Sequence, residues 1–161
     1  MNIPTLLQQQ KDFFKTEKTK DISFRIQILK KLKSEIIANE KEINEALFKD
    51  FKKSVFETYS SEIGMVLSEL NLAIKNLRKW SKPKRVLPSL LNFPSTDFLH
   101  AEPYGTILII APWNYPFQLT FSPAIAAIAA GNTVVIKPSE LTPHASELAE
   151  KILLKVFTKE H

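Results

Sequence analysis

Residues Glu102 to Glu140 read EPYGTILIIAPWNYPFQLTFSPAIAAIAAGNTVVIKPSE, and this stretch decides the fold. Gly105 opens a short run, Thr106 to Ile110, whose β-branched and leucine content is continuous rather than alternating. Such a run predicts a parallel-type strand covered on both faces. Pro116 to Ala130 is rich in small residues and predicts a helix, ended by Gly131 in the usual left-handed cap position. Thr133 to Lys137 predicts a second strand. Thr142-Pro143 starts another helix, with Thr as N-cap and Pro in the first turn. Strand, helix, strand in this order is a right-handed crossover unit of a parallel sheet. Two strands leave such a sheet incomplete, so its neighbours are expected from outside these residues.

Upstream, Ile22, Ile26, Leu29, Leu32, Ile36, Ile43 and Leu47 recur mostly at three- and four-residue steps between Asp21 and Phe51. That spacing makes one apolar helix stripe, with Lys and Glu on the other face. Asn39 interrupts it, so the stretch is either one bent helix or two. Ser54 and Glu57 have the spacing of a capping box. Behind them Ile63, Val66, Leu67, Leu70, Ile74, Leu77 and Trp80 form a second stripe, stopped by Lys82-Pro83. Both stripes read as core packing, because the heptads are too few for a coiled coil. Pro83, Pro88, Pro94 and Pro103 preclude a regular helix in the next segment. Extended pieces around Arg85–Leu87 and Asp97–Ala101 suit a hairpin, read either as an oligomerisation arm or as a plain surface hairpin.

The chain has 161 residues, enough for one ordinary domain and too few for two large ones. With 44% hydrophobic and 24% charged residues, the composition is that of a soluble globular protein rather than a disordered one. The longest nearly apolar stretch, Phe121 to Ala130, is too short to span a bilayer. Met1 to Gln10 lacks the pattern of a secretory signal, which makes the cytoplasm the expected compartment. There is no cysteine, so disulfides, thiolate zinc sites and a thiol nucleophile are excluded within these residues. The net charge is +5, with one basic cluster at Lys79, Lys82, Lys84 and Arg85. Cations suit a helix C-terminus, and no aromatics interleave there for base stacking. Nucleic-acid binding is therefore not expected.

In an open α/β sheet, ligands bind outside the carboxyl ends of the strands. The few polar residues of the deciding stretch sit there. Ala111-Pro112-Trp113-Asn114-Tyr115-Pro116 joins the first strand to its helix, and Asn114 carries the one amide donor of this proline-stiffened loop. A held amide N–H is what a developing oxyanion needs. Asn114 also reads as an ordinary helix cap. At the end of the second strand, Lys137-Pro138-Ser139-Glu140 offers a Lys donor and a Glu acceptor for ribose hydroxyls, or forms an exposed loop. His144 reads as a surface residue, and neither His100 nor His161 has metal-ligand spacing with it, so no metal is expected. The only glycines are Gly64, Gly105 and Gly131, which rules out a G-x-G-x-x-G or P-loop phosphate cradle in these residues.

EPYG, APWNYPF, AAIAAGN and VIKPSE occur here in the order and spacing of the NAD(P)-dependent aldehyde dehydrogenases, which the chain resembles from about residue 10 onward. The Leu87-Pro88-Ser89 and Leu91-Asn92-Phe93-Pro94 run, with Arg25, Leu29 and Leu32, looks most like the class 3, fatty-aldehyde-type branch. The resemblance implies an α/β fold: N-terminal helices over 1–82, a hairpin arm over 83–103, and over 104–161 the first βαβα part of an incomplete parallel, Rossmann-like dinucleotide-binding sheet. It implies that Asn114 bonds the aldehyde oxygen and then the oxyanion. Lys137 and Glu140 would hold the adenosine ribose, with Ser139 nearby, while Ala111, Pro112 and Trp113 line the cofactor or substrate channel. Either NAD or NADP is possible, since Lys137 favours a 2′-phosphate and Glu140 repels one. The family's cysteine nucleophile and its deacylating glutamate follow the segment seen here. The chain thus reads as a truncated front end, inactive alone, of an enzyme that oxidises aldehydes to acids as a homodimer. A non-catalytic remnant and one half of a split enzyme are the alternatives.

Overall fold

The computed structural model describes residues 2–158. Met1 and residues 159–161, and with them His161, lie outside the described residues. Helix α1 (Ile3–Lys15) has Asn2 as N-cap, accepting the Thr5 amide, and Pro4 in its first turn. The stripes between Asp21 and Trp80 do not reach this helix; Ile3, Leu6, Leu7, Phe13 and Phe14, at helical spacing behind an Asn-x-Pro start, are the signal that marks it. After a 3-10 turn at Lys18–Lys20, Asp21 accepts the Ser23 amide at 2.8 Å and starts α2 (Ile22–Ala38). The stretch up to Phe51 is two helices. Asn39 ends α2, its side-chain amide donating to the Glu35 carbonyl at 2.7 Å, and α3 (Glu40–Phe51) follows. Ser54 accepts the Glu57 amide at 3.2 Å, as the capping-box spacing predicts. It heads α4 (Val55–Thr58), which passes through a π-helical turn, Tyr59–Ile63, into α5 (Gly64–Trp80).

Beyond Pro83, β1 (Lys84–Val86) pairs antiparallel with β2 (Asp97–Leu99), Arg85 opposite Phe98. The expected hairpin is present, starting one residue earlier and ending at Leu99 rather than Ala101. Leu87, Leu90 and Leu91 on its connection are each 96% exposed. Next, β3 (Thr106–Ile110), α6 (Pro116–Ala130) and β4 (Thr133–Lys137) have the bounds read from the sequence. The two strands pair in parallel, from Thr106 opposite Thr133 to Ile110 opposite Lys137.

Helix α7 (Pro143–Val156) closes the described chain. Its cap is a correction to the sequence reading. The Thr142 hydroxyl turns back to the Ser139 carbonyl at 3.4 Å. Asp50, near the end of α3, supplies a carboxylate to the His144 and Ala145 amides instead, at 3.3 and 2.8 Å.

One core joins these elements: α3 and α2 pack on α7, while α2 and α5 pack on α6. Leu29, Leu32, Ile36, Phe117, Phe121 and Ile125 lie at its centre, fully enclosed. Burying a side chain of this size stabilises by about 1.5–3 kcal/mol. The two-faced burial expected of β3 is met on one face. Ile107, Ile109, Val134 and Ile136 join the core, because alternate residues of a strand share a face. Leu108 and Ile110 point the other way and stay 61% and 69% exposed. Helix α1 touches both strands but covers that face only in part, leaving a groove of about 1120 Å³ between α1, the strands and α7.

Candidate functional site

The site grows from a single backbone bond. Ala111 N donates to the Lys137 carbonyl at 3.0 Å, just past the last paired residues of β3 and β4. Two loops therefore leave the sheet side by side at its carboxyl edge, the position where open α/β sheets bind ligands. The opposite edge is pinned. Asn132 accepts the Gly105 amide at 2.9 Å and donates to the Ala127 carbonyl at 3.1 Å. The Thr133 and Thr106 hydroxyls bond at 3.0 Å. A strand slip would break the Gly105–Asn132 and Thr133–Thr106 contacts, which hold the register that brings the loops together.

In the first loop Ala111 is buried, whereas Pro112, Trp113, Asn114 and Tyr115 are exposed. The helix-cap reading of Asn114 is not realised. Tyr115 occupies the N-cap position of α6 at φ 49°, without a side-chain cap bond. A left-handed backbone costs a non-glycine residue about 1–2 kcal/mol, so this turn must be held from outside. Glu62 holds it. Fully buried on the π-helical turn, it accepts the Phe117 amide at 2.8 Å and the Gln118 amide at 3.3 Å. Its other oxygen pairs with Lys53, whose Nζ stands 4.5 Å from the centroid of the Tyr115 ring. The π turn needs Gly64 behind it, since a Cβ there would come within 2.9 Å of the Tyr59 carbonyl oxygen. With its cap duty taken by Glu62, the Asn114 amide is left at an exposed, stiffened loop.

In the second loop, Lys137 and Glu140 are exposed and form an ion pair. The hydrogen bond from Lys137 holds the Glu140 carboxyl below the ordinary glutamate range. Ser139 is buried: its hydroxyl accepts the Leu141 amide at 3.2 Å and its carbonyl accepts the Ser146 hydroxyl at 2.8 Å. Asn114, Lys137 and Glu140 are thus exposed at this edge, together with Pro112 and Trp113. Ala111 and Ser139 shape the loops from beneath.

Glu62 and Lys53 are the site neighbours that the sequence reading misses. A signal for Glu62 exists: it stands four and eight residues before Val66 and Leu70, on the buried stripe. A carboxylate there must find donors. His144 is exposed and bonds Asp50 through its backbone amide. Among the described residues no His, Asp and Glu side chains cluster as a metal would require, and no helix is long and apolar enough to cross a membrane.

Comparison with known proteins accords with this geometry. The chain is 50% identical over 147 residues to the 4,4′-diaponeurosporen-aldehyde dehydrogenase of Staphylococcus aureus, covering 91% of this chain and 32% of the relative. It is 35% identical over 159 residues to the dimeric NADP-preferring aldehyde dehydrogenase of Mus musculus, covering 99% of this chain and 35% of that one. The solved substrate-bound state of Staphylococcus aureus AldH superposes with a TM-score of 0.96 at 48% identity, over 99% of this chain and 35% of that chain. The chain thus spans about a third of the length of the relatives it matches. Residues 2–158, which hold both loops and the elements that carry them, match the sequence profile of the Aldehyde dehydrogenase family, and the chain belongs to that family.

Proposed function

We propose that this chain supplies the oxyanion donor and half of the adenosine site to an NAD(P)-dependent oxidation of an aldehyde to a carboxylic acid. The observation that carries the reading is the bond between Ala111 and Lys137. It sets the Asn114 loop beside the Lys137–Glu140 loop at the carboxyl edge of a parallel strand pair, in a chain of this family.

Asn114 donates a side-chain N–H to the aldehyde oxygen and to the negative charge that grows there as a nucleophile attacks. Its stiff loop suits this task, because a donor held in advance stabilises charge without reorganising. Pro112 and Trp113 line the channel beside it, with Ala111 at its base. Lys137 and Glu140 combine one donor and one acceptor three residues apart, the set that two neighbouring ribose hydroxyls require, and Ser139 shapes their loop. The residues present thus suit the adenosine end of NAD or NADP. When bound, that cofactor supplies the hydride acceptor. No cysteine occurs in the 161 residues, so the attacking thiolate belongs to other residues, and these 161 alone are inactive.

We assign residues 1–82 to a helical portion, 104–161 to the first part of the nucleotide-binding domain, and 83–103 to a dimerisation arm. The exposed leucines of the arm support that reading, as does the description of the mouse relative as dimeric. The compartment we assign is the cytoplasm.

The test is a graft in which residues 2–158 replace the matching third of the Staphylococcus aureus relative, assayed for aldehyde-dependent NAD(P)H formation. Asn114→Ala is expected to lower kcat about 100- to 1000-fold, while Glu140→Ala raises KM for the cofactor. Full kcat in Asn114→Ala would remove the oxyanion role.

A further inference from the structure

Asn114 has a second set of neighbours that act on it at one remove. Residues 114 and 115 stand between two constraints: the end of β3, and the first turn of α6. The constraint at α6 is not local. Its first free amides, those of Phe117 and Gln118, are bonded by the carboxylate of Glu62, more than fifty residues earlier in the chain. The same carboxylate pairs with Lys53, and Lys53 lies over the ring of Tyr115. Glu62 is wholly enclosed and the Lys53 side chain is 10% exposed, so water screens their mutual attraction little, whereas the Tyr115 that Lys53 faces is half-exposed. The left-handed backbone at Tyr115 directs the peptide that carries Asn114.

We propose that Glu62 and Lys53 are positioning residues for Asn114: Glu62 fixes the start of α6, and Lys53 holds Tyr115 in its left-handed turn. The proposal rests on the oxyanion reading of Asn114 for its kinetic consequence, and on the structure alone for its conformational one. A core ion pair serving only stability would sit equally well anywhere in the helical layer. This one sets its partners against neighbouring features of one loop: Lys53, which also stands 5.4 Å from the Phe51 ring, against the Tyr115 ring, and Glu62 against the Phe117 amide. Neither residue touches substrate or cofactor in this scheme, so a small displacement of the donor is the means by which they act.

The conformational arm uses the 161-residue chain, labelled with 13C and 15N, and reads the Cα and Cβ shifts of Tyr115, which report a left-handed backbone. Core shifts of Leu29, Ile36 and Ile43 report folding. Lys53→Met is expected to abolish the left-handed signature, and Lys53→Arg to keep it, since the cation remains. Because Lys53→Met leaves a buried carboxylate unpaired and risks unfolding, Lys53→Met with Glu62→Gln serves as the second variant. It removes both charges and keeps a carbonyl for the Phe117 amide. A native core with an unchanged Tyr115 signature in the double variant would overturn the proposal.

The kinetic arm places the same substitutions in the grafted enzyme. A misplaced donor costs about 100-fold, so kcat falls by that order in Lys53→Met with the cofactor KM unchanged, and Lys53→Arg restores it. Asn114→Ala separates the two claims. If it leaves kcat intact while Lys53→Met still alters Tyr115, the oxyanion reading falls and the positioning stands. If it lowers kcat while Tyr115 stays unaltered in a folded Lys53→Met chain, the positioning falls alone.

Discussion

Asp50 caps a helix that begins more than ninety residues after it: its carboxylate accepts the Ala145 amide of α7 at 2.8 Å. The bond ties the end of α3 to the start of α7, two helices packed along each other. It also anchors the loop that carries Lys137 and Glu140, because that loop runs directly into α7.

Removing the cap should therefore cost stability at a distance. Asp50→Ala is expected to lower unfolding free energy by about 0.5–2 kcal/mol, the usual worth of an N-cap. Asp50→Asn should lose less, since it keeps an acceptor. Thr142→Val, which removes the hydroxyl at nearly constant shape, should leave α7 capped. Urea midpoints of the three variants decide the matter; a large loss in Thr142→Val with none in Asp50→Ala would restore Thr142 as the cap.

The same contrast marks what the sequence makes legible. The bounds of β3, α6 and β4 are readable because each is punctuated locally: Gly105 before the first strand, Pro116 at the helix start, Gly131 at its end. Asn114, Lys137 and Glu140 are readable because a strand's carboxyl end follows from the strand itself. Asp50 and Glu62 act across fifty to a hundred residues through side chain to backbone bonds. A bond of that kind leaves no spacing to detect, only a carboxylate in a place where one is costly. The exposed face of β3 is illegible for a related reason. Continuous apolar content tells that both faces want cover, whereas how far α1 reaches over one of them depends on packing between distant segments.

Gly131 gives a sharper test of local punctuation. Its backbone lies at φ 94°, and an added Cβ would stand 3.1 Å from the Thr19 carbonyl oxygen and 3.5 Å from Arg25 Nη1. That Arg25 nitrogen donates to the Ala129 carbonyl at 2.8 Å, joining α2 to the end of α6. Gly131→Ala combines a left-handed penalty of about 1–2 kcal/mol with pressure on this bond. A loss of at least about 1 kcal/mol in chemical denaturation is expected. An unchanged midpoint would mean that the backbone at 131 relaxes to a conformation open to alanine.

The Lys137–Glu140 pair predicts an acid titration. Lys137 lowers the Glu140 carboxyl below its ordinary value of 4.5. With the folded value depressed, the stabilising contribution is complete above the unfolded value and is lost as pH falls through the folded one. The window therefore lies below pH 4.5. Following the Glu140 carboxyl carbon by NMR should give a midpoint under that value, returning toward it in Lys137→Met. Identical midpoints in both proteins would show that the pair does not form in solution.

Leu108 and Ile110 carry the last prediction. Both project from β3 on the face away from the core, at 61% and 69% exposure. They border a groove lined also by Ile3 and Leu6 of α1 and by Leu153 and Leu154 of α7, with Gln9 and Glu150 among its polar residues. Contiguous exposed apolar surface on a β-strand promotes association between chains. Leu108→Thr with Ile110→Thr places a β-branched residue, which a strand favours, at both positions and replaces apolar surface by hydroxyl. The pair should raise the concentration at which the chain stays monomeric in sedimentation, with little change in its unfolding midpoint, because neither side chain contributes to the core. Arm variants such as Leu90→Ser with Leu91→Ser supply the comparison, since these leucines are exposed on a different surface. If only the arm variants suppress association, the hairpin governs assembly and the strand face is innocuous. If only the strand variants do so, the uncovered sheet is the adhesive surface, and the arm reading loses its support.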